Sequence, residues 1–170
     1  MTWTSPPADS ADGPLTGADR PILEGYLAWQ RSTLLNICSG LTAEQMSARP
    51  VPSSTLSLLG LVRHMAKVER IWFRQRVAGL DVPALHGGPG DPADFADVDP
   101  ARAEQEVAAL REEWRLADEA VADVPFTQET EVHGDLLSLR MVHVHMIGEY
   151  ARHNGHADLL REAIDGVTGR

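Results

Sequence analysis

The sequence has little that could form a disulfide, a multi-cysteine metal site or a membrane span. Its 170 residues include one cysteine, Cys38, which excludes an intrachain disulfide and a zinc site built from several thiolates. The N-terminal segment lacks the basic and apolar regions of a signal peptide, and no stretch contains about 18 consecutive apolar residues. We therefore expect a soluble, cytoplasmic protein in which Cys38 packs among apolar neighbours.

Basic residues are also scarce relative to acidic ones. Lys and Arg number 15 against 25 Asp and Glu, which gives a formal net charge of −10. A chain of this charge repels polyanions, so neither nucleic acid nor an anionic membrane is expected as a partner. The expected partner is a small-molecule substrate, and the sequence is also compatible with a homodimer.

Apolar residues recur three and four positions apart, the spacing of an amphipathic helix, in four long segments. Capping residues or prolines stand near the start of these segments, and glycine follows the first and the last. The predicted helices cover residues 19–40, 54–78, 100–124 and 138–166. Because no segment shows a convincing strand pattern, we predict an all-α fold, a four-helix bundle.

The segments outside these helices are rich in Pro, Gly, Ser and Asp. Residues 1–18 have little to bury, and we interpret them as a flexible or surface-draped lead to a single domain that spans 19–170. Residues 42–54 predict a short helical turn and a loop. Residues 79–100 are too long for an ordinary connection between the second and third helices, so we interpret them as a surface loop over a site.

The fourth predicted helix carries an acid and two histidines on its apolar side. At about 100° per residue, Glu149, His153 and His156 fall into the same stripe as Val142, Met146 and Leu160. An ionised glutamate in that position costs several kcal/mol unless it is paired or ligated. A divalent metal would compensate, because Glu149 and His153 are one helical turn apart and their oxygen and nitrogen converge.

A third ligand is expected from the second predicted helix. His64 stands on its apolar flank, and three protein ligands leave one position for water or substrate, as in catalytic zinc sites. Carboxylate and imidazole ligands suit zinc, with nickel, iron and manganese as alternatives. His145 and His156 lie one turn to either side of the Glu149 and His153 pair. We predict that they support the ligands or line the pocket, with an exchange of ligand roles left open.

These residues also have ordinary structural interpretations. His64 by itself fits a core or boundary histidine, and Glu149 can pair instead with Arg152 or Arg140 at a helix flank. The arginines of the second helix are interpreted as a solvated face, and the tryptophans at helical spacing as core. The remaining histidines have no matching geometry and are interpreted as exposed or loop residues, namely His86, His133 and His143.

Two stretches of the sequence, "LLGLVRHMAKVERIWF" and "VHMIGEYARHNGHADLLRE", resemble the DinB-like superfamily of bacterial four-helix proteins. The similarity is to a poorly characterised branch and to the mycothiol-dependent maleylpyruvate isomerase. It implies a bundle of the DinB-like type over roughly residues 20–166, with a long loop between its second and third helices. It also implies a divalent metal held by His64, Glu149 and His153. Many members have histidine where this chain has Glu149, whereas the isomerase branch is similar in using glutamate.

Two functions are compatible with these observations. The first is a metal-dependent thiol S-transferase or isomerase, in which the metal lowers the pKa of a bound thiol or water and holds the nucleophile. The resemblance implies a low-molecular-weight thiol such as mycothiol and a small electrophile as acceptor. The second is a metal-binding bundle without catalysis, with a stress-related binding or structural role. A general acid or a cationic anchor near the open metal position would discriminate between them, and the sequence identifies neither.

Overall fold

The computed structural model describes residues 2–169, which are mostly helical. The α-helices are α1 (Asp19–Cys38), α2 (Ala43–Ser47), α3 (Leu58–Glu69), α4 (Ala93–Ala96), α5 (Ala103–Val121) and α6 (Leu139–Asp165). A π-helical segment, Arg70–Val77, continues α3, and a 3₁₀ turn, Pro100–Arg102, precedes α5. Each long segment with helical spacing therefore forms a helix, with ends that differ by a few residues from those predicted. Among the described residues, no helix is both long and apolar enough to cross a membrane.

Local capping signals set the helix ends. Ser57 accepts a hydrogen bond from the Gly60 N–H at the start of α3, and Ser138 accepts one from the Met141 N–H at the start of α6. The predicted capping box of Thr42 is present at α2. Gly166 ends α6 in the left-handed conformation, with φ of 79°, which glycine adopts without steric cost.

A two-stranded antiparallel sheet stands between α5 and α6. Strand β1 (Glu129–Val132) pairs with β2 (Asp135–Ser138), and the turn residues His133 and Gly134 both have positive φ. Such a two-residue turn matches the twist of the strands that it joins. The expectation of a chain without strands is therefore wrong for residues 129–138. The signal in the sequence is Gly134 between two short runs that contain Thr, Val and Leu.

The apolar core lies between the long helices, with α1 packed mainly against α6 and α3 against α5. Its fully buried side chains include Leu34, Leu61, Met65, Leu110 and Met146. Burial of each such side chain contributes about 1.5–3 kcal/mol. Cys38 is also fully buried, which confirms that it packs in the core, and burial raises the pKa of its thiol to about 12.

Part of the predicted N-terminal lead follows the surface near the end of α1. The N–H of Ser5 donates to the Leu41 carbonyl, and the N–H of Gly40 donates to the Ser5 carbonyl, each at 2.9 Å. The Ala8 N–H donates to the side-chain oxygen of Asn36. Residues 5–8 therefore follow the surface at this end of the molecule and are held there by these hydrogen bonds.

The basic residues of α3 and its extension do not form a solvated face. Arg63 and Lys67 are buried, and Arg70 and Arg74 both pair with the buried Glu113 of α5. The interpretation as a solvated face is wrong because these side chains point toward α5 and the 79–100 loop, whose acceptors compensate for the lost hydration.

Candidate metal centre

The three predicted ligands come together between α3 and α6. The donor atoms of His64, Glu149 and His153 all lie within 4.8 Å of one another. Glu149 and His153 are one turn apart on α6, with Oε2 and Nε2 separated by 3.5 Å. His64 faces them from α3, and its ring centroid is 4.6 Å from that of His153. The group therefore depends on the packing of two helices that are distant in sequence.

This donor set fits a divalent metal. Ligands that bind tetrahedral zinc at about 2.0–2.1 Å lie about 3.3–3.4 Å from each other. The 3.5 Å between Glu149 and His153 is close to that separation. Two imidazoles and one carboxylate also form the protein ligand set of several catalytic zinc enzymes, in which a fourth position stays open.

The outer nitrogen of each predicted imidazole ligand has a partner. Nδ1 of His64 lies 2.8 Å from Oδ2 of Asp94, and Nδ1 of His153 lies 3.4 Å from Nδ1 of His156. In both rings Nε2 is thus left for the centre. A carboxylate on the outer nitrogen selects the tautomer of a metal-binding histidine and increases its basicity. The sequence does not predict this role of Asp94, because residues 79–100 contain several aspartates and nothing in the sequence shows which of them lies next to His64.

Glu149 contacts imidazoles rather than arginines. Its Oε1 lies 3.6 Å from Nε2 of His145, and its Oε2 lies near His153. Arg140, one of the alternative partners, pairs with Asp19 instead. Within residues 2–169, no ion pair joins Glu149 to Arg152, the other alternative. His145 also packs against Trp72, with ring centroids 4.2 Å apart.

The site is half-buried at the edge of the core, which corrects the expectation that Glu149 and His153 lie inside the apolar stripe of the last helix. The side chains of His64, Glu149 and His153 are 19%, 29% and 12% exposed. Tyr150, about 100° around the helix from Glu149, takes the fully buried position. Burial, with His64 and His156 adding to it, lowers the pKa of His153 to about 4, so its imidazole is neutral near pH 7. The neutral ring is the form that binds metal.

A cavity of about 390 Å³ opens beside His64. One wall is the face of α3 and its π-helical extension that carries Val68, Ile71, Trp72 and Arg76. The opposite wall is formed by residues 89–92 together with Asp94 and Phe95, and Phe95 stacks on His64 with centroids 4.8 Å apart. This part of the 79–100 loop therefore lies over the site.

Two buried cations hold this loop in place. Lys67 and Arg63 each donate to two main-chain carbonyl oxygens of the loop. The acceptors are the carbonyl oxygens of His86, Asp91, Ala93 and Asp94. Buried charges are retained only where such partners compensate for desolvation, so α3 and the loop form one connected wall.

Histidines outside the site differ in part from their predicted exposure. His86 is largely buried, with Nε2 3.1 Å from Oε2 of Glu106. His143 is also buried, and burial lowers its pKa; its Nδ1 lies 3.0 Å from the Leu139 carbonyl oxygen. The interpretation as an exposed or loop residue is therefore wrong for His143, which is buried in α6, whereas His86 lies in the 79–100 loop as expected, with its side chain largely buried. His133 is exposed in the hairpin turn, as expected, and lies next to Arg76.

A buried polar network lies behind Glu149. Arg31 binds both carboxylate oxygens of Glu69 at 2.7 and 2.8 Å. The Tyr150 hydroxyl donates to Glu69 at 2.8 Å and accepts from Nε1 of Trp114 at 2.7 Å. Burial raises the pKa of the Glu69 carboxyl, and the Arg31 guanidinium opposes that increase. Because Tyr150 follows Glu149 in the chain, the network fixes the rotation of α6 that presents Glu149 to the site.

Comparison with known families decides where the chain belongs. Residues 22–166, which include every residue of the proposed centre, match the mycothiol S-transferase family. The chain belongs to the mycothiol S-transferase family. This family is part of the DinB-like superfamily, so the resemblance seen in the sequence is confirmed. Neither the curated proteins nor the solved structures include a match to the chain.

Proposed function

We propose that this member of the mycothiol S-transferase family uses a divalent metal on a four-helix bundle to join a low-molecular-weight thiol to a small electrophile. The observation that carries the proposal is the convergence of His64, Glu149 and His153 within 4.8 Å beside a cavity. The family supports mycothiol as the thiol and favours transfer over isomerisation. Zinc is the proposed metal because two imidazoles and one carboxylate suit it.

The chemistry expected of the centre is activation of sulfur. A divalent metal with an open position lowers the pKa of a bound thiol, so that the thiolate is present at neutral pH. In the transfer, the sulfur forms a bond to the electrophilic carbon and the thiol proton passes to solvent. Where the electrophile has a leaving group, its bond to carbon breaks and the leaving group departs with the electron pair. Where the electrophile has a polarised double bond instead, the π electron pair moves to the neighbouring atom, which takes up a proton from solvent.

The surrounding residues have separate roles in this proposal. Asp94 and His156 hold the outer nitrogens of His64 and His153, so that Nε2 of each ring stays directed at the centre. His145 lies against the second oxygen of Glu149 and limits its rotation. The alternative, a metal-binding protein without catalysis, is disfavoured because a structural site uses a closed set of four ligands and needs no adjoining cavity.

Glu149→Gln tests the proposal, because the amide keeps the shape of the side chain but removes the ligand charge. Purified wild-type protein should contain about one equivalent of divalent metal and should accelerate conjugation of mycothiol to a fluorogenic bimane. Glu149→Gln should lose at least about 10-fold in metal affinity and most of the rate while its circular dichroism is unchanged.

Glu162→Gln is the matched control, because Glu162 is an exposed glutamate on the same helix. It should retain both metal and rate. The proposal is wrong if wild-type protein binds none of zinc, nickel, iron or manganese, or if metal-loaded protein turns over no thiol.

A further inference from the structure

Arg76 is a cation without an acidic partner at the far end of the cavity. It shares the cavity lining with His64, and its guanidinium carbon lies 4.2 Å from the centroid of the Trp72 ring. Its side-chain nitrogen lies 3.3 Å from Nε2 of His133, which can accept a hydrogen bond when neutral. Among residues 2–169, no ion pair connects Arg76 to a carboxylate, whereas Arg70 and Arg74 share Glu113.

The environment of Arg76 disfavours the charged form of its guanidinium group. Burial lowers the pKa of its guanidinium below the ordinary value, and nothing in the described chain offsets this with a negative charge. Lys67, the other cation in the cavity wall, is occupied by the loop carbonyl oxygens and lies 3.6 Å from Asp94. Arg76 is thus the cavity cation that an incoming anion would find unpaired, and guanidinium groups bind carboxylates in a bidentate geometry.

The cavity connects this cation to the candidate metal centre. Trp72 follows His64 by eight residues, about 12 Å along the helix axis. Between them, Val68 and Ile71 give the wall an apolar surface. The Trp72 ring touches His145, which in turn contacts Glu149. An elongated molecule can therefore place an anionic end at Arg76, a flat apolar body along Val68, Ile71 and the part of Trp72 that lines the cavity, and a reactive carbon near His64.

We propose that Arg76 and Trp72 form an anion-binding subsite that selects electrophiles with a carboxylate attached to a flat apolar body. The subsite supplies the cationic anchor that discriminates an enzyme from a passive metal-binding bundle. The assignment to an electrophile rests on the transferase function proposed above, but the binding of the carboxylate at Arg76 can be measured without turnover.

Calorimetric titration with 4-nitrobenzoate and its neutral counterpart 4-nitrobenzamide tests the binding. Arg76→Gln should weaken nitrobenzoate binding by about 10-fold or more, because a charge-assisted hydrogen bond is lost, and should leave the amide unchanged. Arg76→Lys should retain part of the affinity. Arg111→Gln is the control, because Arg111 lies elsewhere and donates to the Pro7 carbonyl. Circular dichroism verifies that each variant is folded.

The titrations are run on metal-loaded and metal-free protein, because a carboxylate could also bind a metal directly. The expected result is the same dependence on Arg76 in both forms. Equal affinity of wild type and Arg76→Gln for nitrobenzoate overturns the proposal. So does binding that disappears with the metal but is indifferent to Arg76.

Transfer assays with 4-chloro-3-nitrobenzoate and 4-chloro-3-nitrobenzamide then test whether the subsite selects the electrophile that carries a carboxylate. The thiol sulfur replaces chloride, which leaves with the bonding pair, while the thiol proton passes to solvent. Arg76→Gln should raise KM for the benzoate about 10-fold with little change in kcat, and should leave the amide unaffected. If wild type converts neither compound, the transferase function fails while the titrations still decide the subsite.

A final comparison tests whether Arg76 binds the carboxylate of the electrophile or a carboxylate of the thiol. N-acetylcysteine and its amide serve as thiols with the neutral chloronitrobenzamide as acceptor. If Arg76→Gln selectively impairs the carboxylated thiol, and not the carboxylated electrophile, the subsite belongs to the thiol and the assignment is overturned.

Discussion

Substitution of Asp94 by asparagine should weaken metal binding without removing a predicted ligand. The side chain of Asp94 is 3% exposed, and its Oδ2 lies 2.8 Å from Nδ1 of His64. Asparagine keeps the shape but removes the charge that orients and polarises the imidazole. Loss of such a partner typically lowers metal affinity 10- to 100-fold, or about 1.4–2.8 kcal/mol of binding free energy. Lys67 lies 3.6 Å from the same carboxylate. The substitution therefore also removes part of the negative charge that compensates for the burial of Lys67, which adds to the loss of free energy.

Competition against a chromophoric chelator at constant pH measures this change. Asp97→Asn is the matched control, because Asp97 is an exposed aspartate near the end of α4, and it should bind metal like wild type. Circular dichroism and thermal unfolding of the apoproteins separate loss of affinity from loss of fold. If folded Asp94→Asn binds zinc as tightly as wild type, the carboxylate does not support His64 and the reasoning is refuted.

Three further predictions concern stability. Removal of the metal by a chelator should lower the melting temperature, because a metal present at 100 times its dissociation constant stabilises the folded protein by about 2.7 kcal/mol. Unchanged thermal unfolding after verified metal removal would contradict the site. Tyr150→Phe should cost about 1–3 kcal/mol in urea unfolding, because Glu69 and Trp114 lose a buried partner, and a cost near zero would show that the network is dispensable. The apoprotein should lose stability as pH falls from 6.5 to about 4, the ordinary and folded-state pKa values of His153, because the unfolded chain binds more protons there. Because the His153 ring is partly exposed and solvent screens its interactions, the free energy of unfolding should fall by about 1–2 kcal/mol between these two pH values. His153→Gln should show a smaller decrease over the same pH range.

Local features of the sequence are sufficient to predict the helices and the pair of Glu149 and His153, whereas the prediction of His64 also rests on its place on the apolar flank of another helix and on the resemblance to the DinB-like superfamily. Apolar spacing and capping depend on residues within a few positions of each other, so they are readable without the fold. Glu149 and His153 share one turn of one helix, and their spacing brings them together whatever else surrounds them. The sequence does not predict the two-stranded sheet, because its strands are short and only Gly134 marks the turn.

The sequence by itself determined the helical segments, the candidate ligand residues and the acidic balance from which we expect no polyanionic partner. Only the tertiary structure decided which loop aspartate supports His64, how Lys67 and Arg63 hold the loop, and that Arg76 lacks an acidic partner. These properties depend on contacts between elements that are distant in the chain. The ionic state and hydration of a side chain follow from every group packed around it, and helical periodicity specifies a direction but not those neighbours.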